Sequence, residues 1–137
     1  TFLSEKLFLE YFFPHLKMIV KELVKDGFTP RLHCDGDWMP FLEYFRELPK
    51  KSCIIELGLE TNFKKAKEIL GGHICLYGNV PTKLLFTESP LKVKEYCKKL
   101  IDDVGHDGFI LANDDIVPHN ARFENVKMIA DTGKKYG

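Results

Sequence analysis

The 137-residue sequence lacks an excess of either charge: 20 Lys and Arg balance 20 Asp and Glu. It therefore has no surplus of positive charge to track a phosphate backbone or an anionic lipid surface, and neither nucleic acid nor membrane is an expected partner. No apolar run approaches the ~20 residues that cross a bilayer. The opening Thr1-Phe2-Leu3-Ser4-Glu5-Lys6 lacks the basic and apolar regions of a signal peptide, so a cytoplasmic location is expected. There is no initiator methionine, and a helical pattern begins almost at once, which suggests a piece of a longer protein. Cys34, Cys53, Cys75 and Cys97 include no C-x-x-C pair, and three of them lie in apolar runs. Buried free thiols are expected, rather than disulfides or a cysteine-only zinc site. No linker, low-complexity stretch or charge block divides the chain, and a 45% hydrophobic content supports one domain with its own core.

What the sequence does contain is one passage repeated four times: a short apolar strand-like run, a turn-rich stretch, then a segment with helical period. That succession predicts βα units and a parallel sheet. A leading helix starts at Pro14, repeats Leu16, Ile19, Val20 and Leu23 on one face and stops at Gly27. Residues 7–13 are expected to form a separate short helix, because the residue before a proline avoids helical angles. Strands are predicted at 29–33, 53–57, 73–77 and 108–112. Helices are predicted from the Asp37-Trp38-Met39-Pro40 run to about 48, over about 62–70, from Pro90 under a Ser89 cap, and over about 120–135. Gly78-Asn79 reads as a turn. Four parallel strands cannot close a barrel that needs eight. Either the chain pairs with another half, or it forms an open sheet whose edges favour association.

In parallel βα folds the ligand side lies at the C-terminal ends of the strands. There, alternation puts His33 and Asp35 on one face and Cys34 on the other. A His and a carboxylate so placed can ligate a metal or form an oriented acid–base pair, and the same H-x-D-G run can equally be a plain turn. Asn113-Asp114-Asp115 sets two adjacent carboxylates beyond the last strand, in a solvated helix approach or in a site that relieves their repulsion with a cation or a proton. Gly78-Asn79 can bring backbone close to a ligand, and Trp38 and Met39 can pack on a flat one or fill the barrel. His119 could line the mouth, whereas His15, His73 and His106 read as structural or solvated.

Leu32-His33-Cys34-Asp35-Gly36, the run from Lys67 through Gly71-Gly72-His73 to Tyr77-Gly78-Asn79-Val80-Pro81, and Gly108-Phe109-Ile110-Leu111 followed by Pro118 and Glu124-Asn125-Val126 resemble, in order and spacing, the C-terminal half of the uroporphyrinogen decarboxylase superfamily. The resemblance implies an α/β fold, four parallel βα units preceded by a helix, forming the C-terminal half of a (β/α)₈ barrel. The whole protein would then have about 340 residues, within the range of such barrels. It implies one of two activities: cofactor-free decarboxylation of uroporphyrinogen in porphyrin synthesis, or methyl transfer between a corrinoid and a small-molecule donor or acceptor.

The second activity is the closer match. Its thiol-methylating members hold zinc with a His-x-Cys and a later Cys, at positions occupied here by His33, Asp35 and Asp115. That set implies zinc or another divalent metal in a harder, oxygen-rich site. Asp114 stands where decarboxylases carry a His and is the expected catalytic residue, with Asn79 and Trp38 as pocket-lining, substrate-binding residues. A corrinoid protein or free cobalamin, a methyl donor or acceptor, and an N-terminal half-barrel or a second copy are the implied partners. An inert half-barrel is the remaining reading.

Overall fold

The computed structural model describes residues 3–137. Its core is a four-stranded parallel sheet made of β1 (Arg31–Cys34), β2 (Ile54–Leu57), β3 (Cys75–Val80) and β4 (Phe109–Asn113), in the order β1-β2-β3-β4. With the intervening helices α3 (Phe63–Leu70), α4 (Leu84–Thr87) and α5 (Pro90–Val104), and the final α6 (Phe123–Tyr136), these strands form half of a (β/α)₈ barrel. A short α1 (Glu5–Leu7) and α2 (Phe13–Lys25) precede the sheet, and a 3₁₀ segment, Met39–Glu47, takes the helix position after β1. Among the described residues, no helix is long and apolar enough to cross a membrane.

Local chemistry sets most of the boundaries. Asn62 accepts from the Lys65 N–H at 3.0 Å to cap α3, and Ser89 accepts from Lys92 ahead of Pro90 to start α5. The α5 stripe of Val93, Cys97, Leu100, Ile101 and Val104 is buried as its spacing predicts. One strand face, with Ile55, Leu57 and Leu76 fully buried, packs under Phe41, Leu42, Phe45, Leu70 and Val93. The helices cover that face and leave the other open.

Three expectations change. Residues 7–13 do not form a separate helix: the chain runs continuously from α1 through a wider π-type turn, Phe8–Phe12, into α2. The Phe13 N–H bonds to the Phe8 carbonyl, one residue wider than an α-helical bond, and Phe13 keeps helical angles (φ −63°, ψ −37°). Pro14, which has no N–H to give, falls just after this shift in register, so it does not break the helix. Gly78-Asn79 is strand rather than turn, since Gly78 pairs with Leu111 and Asn79 with Ala112. Gly78 takes φ +129°, which suits glycine, and the Gly78–Asn79 peptide is cis. Finally, α4 was not foreseen. Its four residues are too few to show a helical period.

Candidate active site

The open face of the sheet is polar toward the strand ends. Strand register sets His33 beside Glu56 and Glu56 beside Tyr77. These three side chains line one cleft with Arg31, Asn113 and Asp115. His33 is the hub: its Nε2 lies 3.1 Å from Asp35 Oδ1 and its Nδ1 lies 3.2 Å from Glu56 Oε2. The alternation that placed His33 and Asp35 on one face thus brings them into contact. Glu56 Oε2 also faces Arg31 Nε at 3.4 Å, and the Arg31 guanidinium sits 5.0 Å above the Tyr77 ring.

Glu56 is buried, and its Oε2 has no aligned hydrogen bond. Its approaches to His33 and Arg31 are charge pairs, within ion-pair distance but without an aligned hydrogen bond. The Glu56 carboxylate beside the ring is the largest influence on the His33 pKa and raises it above its ordinary value. Partial burial opposes this, and the charges of Asp35, Glu56 and Asp115 add to it. Burial, with the Asp35 and Glu56 charges behind it, pushes the neighbouring Cys34 thiol up to about 12. Cys34 is therefore an inert core thiol.

The loop that carries Asp35 is braced. The buried Thr61 hydroxyl accepts from the Trp38 N–H at 2.9 Å and donates to the Gly36 carbonyl at 3.0 Å. Trp38 Nε1 donates to the Asp35 carbonyl at 2.8 Å, and Asp37 accepts from the Met39 N–H. The Trp38 ring packs among Phe8, Phe12, Phe41 and Phe45. It anchors the site loop against the core and does not line the His33 cleft.

Other expected residues separate in space. Asp115 lines the His33 cleft, and its Oδ1 accepts from the Ile116 N–H at 2.7 Å. Asp114 turns instead to the loop after β3, where its Oδ1 accepts from the Thr82 N–H at 2.6 Å and from the Thr82 hydroxyl. Asn79 is buried, donates to the Gly58 carbonyl at 3.4 Å and borders a different hollow, between α3 and α5. Among the described residues, no three His, Cys, Asp or Glu side chains are gathered as a metal-ligand set. Asp35 and Glu56 each face one His33 nitrogen, and Asp115, the third residue that the resemblance implied as a ligand, lines the same cleft.

Arg31, Glu56 and Tyr77 were absent from the sequence-derived site. The available signal was a lone carboxylate inside the apolar Ile54-Ile55-Glu56-Leu57 strand. A buried charge of that kind needs a partner across the sheet.

A family model described as uroporphyrinogen decarboxylase (URO-D) matches residues 1–136. No curated protein matches the chain.

Proposed function

The chain belongs to the uroporphyrinogen decarboxylase (URO-D) family, and from that premise we propose that the complete protein is an enzyme that moves a methyl group between a corrinoid and a small molecule. The observation that carries this reading over decarboxylation is the charge of the cleft. Among the described residues Asp35, Glu56 and Asp115 outnumber the cations they face, Arg31, which already meets Glu56, and His33 when protonated. A substrate that presents several carboxylates is repelled by such a surface, whereas a neutral or cationic methyl compound is not.

The corrinoid enters as a substrate, bound free or on a separate protein, and supplies the cobalt that accepts or donates the methyl group. His33 contacts the other substrate and exchanges a proton with the heteroatom that loses or gains the methyl group. Asp35 and Glu56 hold the ring between them. His33, Asp35 and Asp115 border one cleft without being gathered as a ligand set among the described residues, and no step here depends on a metal. The other half of the barrel closes the cleft and excludes water.

The test is an absorbance assay of the complete protein with cobalt(I) cobalamin or methylcobalamin and candidate methyl partners, run beside uroporphyrinogen turnover. Methylation or demethylation of the cobalamin that falls by roughly 100-fold or more in His33→Asn supports the reading. Uroporphyrinogen turnover without cobalamin would overturn it.

A further inference from the structure

The hollow between α3 and α5, of about 240 Å³, shares no lining residue with the His33 cleft. Its α3 wall is the first turn of that helix. Asn62 takes up the Lys65 N–H, and the Ala66 N–H returns to the Asn62 carbonyl, so the Phe63 and Lys64 N–H groups are left without helical partners. Those donors, the positive end of the helix dipole and the Lys64 ammonium make this wall attractive to an anion. The α5 wall has the opposite character. Asp103 accepts from Lys99 through Oδ2, and its Oδ1 has no partner among the described residues.

On the sheet side the hollow meets Asn79, which is 5% exposed. Its Nδ2 donates to the Gly58 carbonyl, while its Oδ1 accepts from no group among the described residues and is not sealed in by protein. A carboxamide oxygen so deeply placed calls for a donor. Leu59, Leu100 and Val104 add apolar lining. The volume lies below the ~300 Å³ at which pockets for drug-sized ligands begin, so the ligand must be small.

We propose that this hollow binds a small apolar α-amino acid as its zwitterion. The carboxylate meets the Phe63 and Lys64 N–H groups and the Lys64 ammonium. The α-ammonium donates to Asp103 Oδ1 and to Asn79 Oδ1, and the side chain rests on Leu59, Leu100 and Val104. A plain anion would leave Asp103 and Asn79 unanswered, and a plain amine would leave the end of α3 unanswered. Only a ligand with both charges uses both walls.

The test is titration calorimetry of the complete protein with L-alanine, L-valine and L-leucine. For the tightest of these, the matching des-amino acid and the matching amine without its carboxylate are titrated as well. The amino acid should bind roughly 10-fold or more tightly than either half. Asp103→Asn and Lys64→Met alter exposed side chains, so the fold is kept, and each should weaken the amino acid roughly 10-fold. Lys64→Met should also weaken the des-amino acid, whereas Asp103→Asn should not.

No binding of any of the three at about 10 mM, enough to fill most sites of Kd ~1 mM, overturns the proposal. So does a des-amino acid that binds as tightly as its amino acid, which makes the hollow a plain anion site. Amino acid binding that neither variant weakens places the ligand elsewhere and overturns it too.

Discussion

Asp114 and Asp115 are neighbours in the chain but serve opposite sides of the sheet end. Asp114 accepts from the Thr82 N–H at 2.6 Å and braces the loop after β3, while Asp115 lines the cleft beside His33. Their substitutions should therefore separate. Asp114→Asn should cost about 1–3 kcal/mol of stability, because it weakens a charge-assisted bond to a backbone donor. Asp115→Asn should leave stability within about 0.5 kcal/mol while changing turnover. Urea unfolding of both variants beside the activity assay checks this, and equal stability losses would contradict it.

Phe8 holds the leading helices to the barrel. Its ring centroid lies 4.2 Å from Phe41, 5.4 Å from Phe13 and 6.2 Å from Trp38, and it is 1% exposed. Phe8→Ala should cost about 3–5 kcal/mol through the cavity and lost packing. Because Trp38 is the only tryptophan, its fluorescence should shift to the red in the folded variant. An unchanged emission maximum would mean that Phe8 does not shield the indole.

The thiols should be quiet. Burial pushes Cys34 and Cys97 up to about 12, and it also raises Cys53 and Cys75. At pH 8 the native protein should take up iodoacetamide at these positions far more slowly than the urea-unfolded chain, as read by peptide mass spectrometry. Rapid native labelling of Cys34 would show that the back of the His33 strand is open to solvent.

His33 links stability to pH. Its folded pKa is raised, chiefly by Glu56, so the folded state binds the proton more tightly than the unfolded chain. The stabilisation it contributes is full below the unfolded value of about 6.5 and is lost as pH rises through the higher folded value. His33 is about half exposed, so screening keeps the effect small. Unfolding midpoints measured from pH 5 to pH 9 should fall more for wild type than for His33→Asn, and parallel curves would contradict the linkage.

The parts legible in the sequence were those with short-range causes. Ser89-Pro90 and Asn62 announce helix starts by their own chemistry, and the β1 alternation paired His33 with Asp35 correctly. What was hidden depends on distant partners. Trp38 looks like a pocket residue beside Asp35, yet Phe8 and Phe12, about thirty positions earlier, claim its ring. Glu56 gains its meaning only once register sets it beside His33. The adjacent carboxylates of Asp114 and Asp115 cannot be told apart until Thr82 takes one of them.

The sheet order repeats the chain order, so each strand after β1 pairs with the strand made just before it. During synthesis, every new βα unit emerges to find its docking edge already present, and no strand waits for a later one to be inserted between neighbours. Assembly can then proceed by addition, in step with the ribosome, at the growing edge. A piece built this way can be duplicated, exchanged or joined to another half without rethreading the chain.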